Sequence, residues 1–381
     1  MTDRPFLIAG GGIAGLAAAI GLRRIGRNAR VFEQAPAFEE VGAGLQMSPN
    51  AVGALQWLGA WEAVEPSCVI PTEIHVRDGR SGGILQRIRL GKPFEERFGA
   101  PYRVCHRADL LAALLQVAEA QPGVELNTGA PVQSSVSTPE GARLTLASGA
   151  VMEGAAVIGA DGIHSKVREA VCGPIALLTH GHALFRALLP LALVPPAIET
   201  DCVTLWLCPG GHVVHYPVSN WRNFNVVAAI DGPAKPGVQP RDSFADMDET
   251  LSALLAAPDS WLSWPLAVLP DLPQWSNGNV VLTGDAAHAT LPYLAQGAAM
   301  ALEDACSLSL HVNQAGDPAT AFLAHAESRR SRTARVQAES RRLAGIYHAA
   351  GLAAVARNLA MTLMGKDAAI RRNAWIYGWK P

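Results

Sequence analysis

Gly10, Gly12 and Gly15 stand at the spacing G-x-G-x-x-G close to the start of the chain. Glycines so placed permit a tight turn, close backbone approach to a pyrophosphate, and close packing of a helix on a strand. A helix that begins there offers unpaired N–H groups and the positive end of its dipole to phosphate. Glu33 closes the following apolar pair Val31-Phe32, where a carboxylate can take ribose hydroxyls. A second constellation is Gly284-Asp285-Ala286-Ala287-His288, followed by Pro292 and Gln296-Gly297-Ala298-Ala299. Asp285 can accept from a ribityl hydroxyl. The small residues Gly297 and Ala298, at a helix N-terminus, let a flat ring approach the backbone, and their N–H groups can stabilise negative charge on it. A third is Gly159-Ala160-Asp161-Gly162, in which Asp161 by itself reads as a turn residue rather than a ligand contact.

These residues need elements to hold them. Phe6-Leu7-Ile8 reads as a buried strand, Ile13 to about Ile25 as a helix, and Val31–Glu33 as the next strand, a β-α-β unit over about residues 4–34. A helix is expected from about Asn50 to Leu58 with Asn50 as its N-cap, and another from His106-Arg107 to about Ala120. Residues 73–99 look strand-like around an Asp78-Gly79 turn, and residues 124–158 alternate as a meander. Residues 180–235 read as antiparallel strands, with the turn Cys208-Pro209-Gly210-Gly211 joining two of them. Val280–Leu282 is a further buried strand, and the helix after Gly297 runs to about Val312. Strands ending in Asp161 and Asp285 lie far downstream of the first fingerprint. The chain is therefore expected to cross between two lobes more than once.

Composition narrows the function classes. The 381 residues carry a net charge of −2 and are 49% hydrophobic and 17% charged, which suits a folded protein and gives no basic surface for nucleic acid. No apolar run reaches the length of a membrane span, and the N-terminus shows no export signal. The six cysteines form no C-x-x-C and no metal-ligand spacing, so a reducing, cytoplasmic setting with free thiols is expected. The arginines from 329 to 342 read as a solvated helix face or an intersubunit surface.

Taken together, the chain resembles the class A flavin-dependent aromatic hydroxylases, and among them the salicylate, 3-hydroxybenzoate and 6-hydroxynicotinate monooxygenases. The resemblance rests on Gly10-x-Gly12-x-x-Gly15, Glu33-Gln34, His106-Arg107-x-Asp109-Leu110, Gly159-Ala160-Asp161-Gly162, Gly284–His288 with Pro292 and Gln296-Gly297, and Trp375-Ile376-Tyr377-Gly378-Trp379. It covers essentially the whole length. It implies an α/β fold like that of p-hydroxybenzoate hydroxylase: a Rossmann-like FAD-binding domain (1–72, 100–172 and 277–345), an inserted antiparallel-sheet substrate domain (73–99 and 173–276), and a C-terminal helical segment (346–381). Gly10, Gly12, Ala14, Gly15, Glu33, Gln34, Gln46, Arg107, Asp161, Asp285, Pro292, Gly297 and Ala298 would hold FAD. NADH or NADPH would bind transiently, without a second fingerprint, and reduce it. Reaction with O2 to a flavin C4a-hydroperoxide would then hydroxylate a small aromatic acid. A monomer or homodimer engaged in aromatic catabolism is implied. The rivals are another FAD oxidoreductase on this fold, such as an epoxidase or reductase, and a nucleotide-binding protein without turnover.

On the substrate side, His212 and Tyr216 lie four apart on one strand and therefore on one face, with Val214 between them; Val213 and His215 face the other way. Relatives with this pair use it on the ring hydroxyl. His212 is the candidate base, Tyr216 and Gln296 are candidates for orienting the ring, and Arg186 and Arg222 are candidates for a carboxylate. His212 also admits the reading of an exposed residue flanking its turn, and His215 reads as structural.

Overall fold

The computed structural model describes residues 4–39, 42–233, 237–365 and 367–381. Five strands in its nucleotide-type sheet are parallel neighbours. Val280–Leu282, Ala156–Gly159, Phe6–Ala9, Ala29–Phe32 and Val124–Asn127 lie side by side in that order, with the short strand Ser276–Asn277 antiparallel at one edge. Phe6–Ala9 and Ala156–Gly159 are buried at every position, as a parallel strand covered on both faces requires. One face carries the helices Ile13–Arg24 and Gly297–Gln314, whose Ile13, Leu16, Ala17, Leu302 and Ala305 share a core with the helix Pro49–Leu58. The other face is covered by a three-stranded antiparallel sheet, Val132–Thr138, Gly141–Leu146 and Val151–Gly154. The meander expected over 124–158 thus splits: its first and last strands join the parallel sheet and its middle three form this cover.

The second lobe is a seven-stranded sheet in the order Leu262–Val268, Leu178–Pro190, Asn223–Asp231, Gly211–Val218, Val203–Cys208, Glu73–Asp78 and Ile84–Arg89. Its neighbours are antiparallel except Val203–Cys208 against Glu73–Asp78, which are parallel. Residues 92–98, expected to be extended, are a helix opened by Pro93 and closed by Gly99 at φ +78°. Val213, Trp206, Phe224, Val226 and Ala228 face a core that the helix Glu249–Ala256 covers. A 30-residue helix, Pro318–Tyr347, starts on the nucleotide lobe and ends on the face of this sheet opposite the helix Glu249–Ala256, and the helices Gly351–Leu363 and Ala368–Tyr377 follow it. Among the described residues no helix is long and apolar enough to cross a membrane.

Candidate active site

The fingerprint glycines are fixed by space. Gly10 sits at φ +97°, and a Cβ there would lie 2.4 Å from the carbonyl oxygen of Ala160, just past the end of the neighbouring strand. A Cβ on Gly15 would lie 1.9 Å from the carbonyl oxygen of Gly10, so Gly15 serves helix–strand packing. Gly12 differs: a Cβ there would meet nothing within 4 Å, because it faces a cleft of about 370 Å³. That cleft is lined by Gly10, Gly12, Ala14, Glu33, Gln34, Arg107, Asp161, Asp285, Gly297 and Ala298, which the fingerprints had pointed to from four separate stretches of chain.

Its walls suit an anionic dinucleotide. The helices starting after Gly12 and Gln296 both open on it, and neither has a side-chain N-cap hydrogen bond. Glu33 is held by the N–H groups of Gly11, donating to Oε2 at 2.7 Å, and Ala35, donating to Oε1 at 2.9 Å. Each of its oxygens keeps a lone pair for a sugar hydroxyl. Asp285 is exposed into the cleft at the first position of a short helix, after Gly284 at φ +59°. Asp161 fills both roles the sequence left open. It lines the cleft, and its carboxylate accepts from Ser165 Oγ and from the N–H groups of Lys166 and Val167. A cradle with open space at Gly12, two uncapped helix N-termini and a presented carboxylate fits FAD.

Three further candidates for cofactor or ring contact lie outside the lining of this cleft. Gln46 accepts from Tyr102 Oη at 2.6 Å, on a strand that lies under Tyr216, and is not part of the cleft lining. Pro292 opens a 3-10 turn outside that lining. Gln296 does not aim its amide at a ring. It is 3% exposed, accepts from Asn50 Nδ2 at 2.9 Å and donates to Ser48 Oγ at 3.0 Å, so its hydrogen-bonding groups are used inside the protein. Asn50, expected to cap its helix, is instead the buried link between Gln296 and Glu303.

That link leads to a charge cluster the sequence reading put at the surface. Arg329 is 2% exposed and pairs with Glu303 and Asp304 at 2.7 Å each. Arg332 reaches Glu303 at 2.6 Å, and His288 reaches Asp304 at 2.6 Å. Burial opposes the Asp304 charge, but His288 and Arg329 beside it hold its carboxyl far below the usual range. A Glu-Asp pair inside an apolar helix was the available signal for such a cluster.

On the second lobe the strand alternation puts His212, Val214 and Tyr216 on one face. His215, on the other, accepts from Trp206 Nε1 at 2.9 Å, and burial drives its pKa down to about 3. Register extends the first face across the sheet: Arg186, Val227, Val214 and Leu205 form one row, and Leu184, Ala229 and His212 the next. Arg186 therefore lies between His212 and Tyr216, near enough to favour the Tyr216 phenolate, though burial keeps that phenol up. Arg222 is in an exposed turn, bonded to the carbonyl of Ser219, and takes no part.

His212 is buried, so the exposed-turn alternative falls. Its Nδ1 lies 2.8 Å from His348 Nε2; His348 Nδ1 lies 2.5 Å from Asp231 Oδ1. His182 approaches the same Asp231 oxygen at 3.1 Å through Nε2 and Tyr293 Oη through Nδ1. The rings of Tyr293 and Tyr347 meet His212 edge-on at 5.0 and 5.3 Å. Burial first, then the neighbouring imidazoles His348 and His182, lowers the His212 pKa well below its ordinary value, so the ring is neutral at pH 7. No feature of the sequence pointed to His348, Asp231 or His182.

The comparisons with known proteins agree with this geometry. The model of the family described as FAD binding domain matches residues 3–340. The 3-hydroxybenzoate 6-hydroxylase of Polaromonas naphthalenivorans (strain CJ2) is 37% identical, over 99% of this chain and 96% of its own. The 6-hydroxynicotinate 3-monooxygenase of Bordetella bronchiseptica is 33% identical, over 87% of this chain and 88% of its own. Among solved structures, Klebsiella pneumoniae HpxO complexed with FAD and uric acid superposes with a TM-score of 0.87 at 26% identity, covering 98% of this chain and 96% of that one. With a family match over most of its length and relatives of this kind along nearly all of it, the chain belongs to the FAD-binding domain family, as one of its flavin-dependent aromatic hydroxylases.

Proposed function

We propose that this enzyme hydroxylates a small aromatic ring bearing both a hydroxyl and a carboxylate, of the hydroxybenzoate type, using NAD(P)H and O2. The observation that carries the reading is the shared sheet face of Arg186, His212 and Tyr216, with an apolar floor of Val214, Val227 and Leu205. An aromatic acid needs one cation for its carboxylate, one base for its hydroxyl and a flat apolar bed between them. Arg186 takes the carboxylate in a charge-assisted pair. His212, neutral and buried, accepts the hydroxyl proton at Nε2, which makes the ring electron-rich at the carbon to be attacked. Tyr216 orients the ring from the far side, and Tyr293 and Tyr347 keep water from His212.

Gly10, Gly12, Ala14, Glu33, Gln34, Arg107, Asp161, Asp285, Gly297 and Ala298 hold FAD, with Gly15 packing the turn beneath it. When bound and reduced, FAD supplies the reactivity toward oxygen that no amino-acid side chain offers. The chain's residues position and desolvate the two partners. Relatives named for 3-hydroxybenzoate support this substrate class. The free cysteines support a reducing, cytoplasmic setting.

The test follows NADH and NADPH oxidation and oxygen uptake with 3-hydroxybenzoate, 4-hydroxybenzoate, salicylate and 6-hydroxynicotinate, with products identified by mass. One ring should gain a single oxygen in step with reductant consumed, and His212→Ala should keep its flavin while losing about 100-fold or more of that rate. Reductant oxidation that yields only hydrogen peroxide with every ring overturns the reading.

A further inference from the structure

Asp231, His348 and His212 make one continuous chain of hydrogen bonds whose direction is set from its outer end. An ionised carboxylate only accepts, so the hydrogen on His348 must sit at Nδ1, 2.5 Å from Asp231 Oδ1. A neutral His348 then has a bare Nε2. That atom can only accept, so the hydrogen on His212 sits at Nδ1, 2.8 Å away. His212 is left with a bare Nε2, which has no hydrogen-bond partner among the described residues. The side branch obeys the same logic. His182 Nε2 donates to the same Asp231 oxygen, and its bare Nδ1 accepts from Tyr293 Oη. Asp231 is about half exposed, 51%, whereas His348 is 4% exposed, so the chain runs from the sheet face to water.

We propose that Asp231 and His348 are positioning residues that lock His212 in its Nε2-basic tautomer and carry the substrate proton from His212 to solvent. This rests on His212 being the base for a ring hydroxyl. The transfer is balanced and needs no further reactant. The phenol O–H proton passes to His212 Nε2, the Nδ1 proton of His212 passes to His348 Nε2, and the Nδ1 proton of His348 passes to Asp231, which releases it to water. Both imidazoles end neutral with their hydrogens moved to Nε2, and the ring is left as phenolate. Passage of a proton back along the same line, from water through Asp231 and His348 to His212 and on to the phenolate oxygen of the hydroxylated product, restores the Nδ1–H tautomers. The elements packed around His212 present it with His348 and Tyr347 from the end of the long helix, Tyr293 from its 3-10 turn, and His182 and Asp231 from neighbouring strands. His180 and Arg357 stand behind His348. Only the Asp231–His348 branch joins His212 to an exposed acceptor among the described residues.

Two measurements test this, on the FAD-loaded protein. The first needs no substrate: nitrogen-15 shifts of His212 should show Nδ1 protonated and Nε2 bare in the wild type. In Asp231→Asn they should show a mixture of tautomers. An unchanged tautomer in that variant overturns the lock. The second adds 3-hydroxybenzoate without reductant and follows the absorbance of its phenolate against pH. The ionisation midpoint should rise by about 1 pH unit or more in Asp231→Asn and in His348→Phe, and return in Asp231→Glu. The kcat for oxygenation should fall about tenfold or more, with KM and flavin content unaltered. A midpoint and kcat unmoved in both variants overturn the relay. If the wild type neither binds nor oxygenates any ring of the panel, the substrate reading has failed, and the nitrogen-15 measurement decides the lock by itself.

Discussion

Two buried polar networks flank the two lobes, and they differ in how they are closed. Behind the nucleotide cleft, Glu303 and Asp304 face Arg329, Arg332 and His288, all at 2.6–2.7 Å. Charges there are matched, and the ion-pairing carboxylates are fully buried. Over the second sheet, His212, His348, His182 and Tyr293 form a network with one carboxylate, Asp231, at its rim. The first is closed on itself and locks charge in place; moving a proton in it would strand a buried ion. The second is a line of neutral rings with one end on the sheet face and the other in water. Burial alone therefore does not tell a strut from a conduit. The number of compensated charges and the presence of open ends do.

The comparison breaks first at Arg329. Arg329→Met leaves two buried carboxylates short of a partner and should cost about 3–5 kcal/mol of unfolding free energy, measured by urea denaturation. A loss under 1 kcal/mol would mean that the cluster is not closed. Acid comes next. His215 and His325 are buried, and their pKa values are pushed down to about 3, so the folded protein refuses protons that the unfolded chain accepts. Their contribution is complete above the unfolded value near 6.5, declines as pH falls below it, and is spent once pH reaches about 3. Stability should fall between those limits by about 1.4 kcal/mol per pH unit for each histidine. A flat stability from pH 6 to 4 would contradict it. The smallest effect belongs to the open network: Asp231→Asn, at a half-exposed position, should change unfolding free energy by less than about 1 kcal/mol. A larger loss would make Asp231 a strut as well.

A separate pair of substitutions sharpens the reading of the cleft. Gly12→Val should fold and purify without bound flavin, since its side chain enters open space. Gly10→Val should fail to fold, since its Cβ meets backbone. Flavin absorbance and the yield of folded protein measure both.

The cleft was legible because its motifs are local: a strand, a turn, a helix start and an acid a short way on. Gly10, Glu33, Asp161 and Asp285 could each be read from a few neighbours. Strand alternation carried His212 and Tyr216 to one face for the same reason. Gln296 was misread because its place before a helix says nothing about Ser48 and Asn50, which absorb its amide. His348 is 136 residues from His212, and its role exists only once the long helix has crossed between the lobes. Arg329 looked like a solvated arginine because its run is rich in arginine; only the helix partner Gly297–Gln314 reveals which of them turn inward.

The residues that line the cleft begin at Gly10 and end at Ala301, with the whole second sheet translated between them. At roughly 5–20 residues per second, a nascent chain therefore waits about 15–60 s after its first fingerprint emerges before its last wall exists. During that interval the early β-α-β unit has apolar faces and no helix Gly297–Gln314 to cover them. Flavin capture belongs to the end of synthesis, and a chain stopped before that helix should leave the ribosome as a target for chaperones rather than as a smaller flavoprotein.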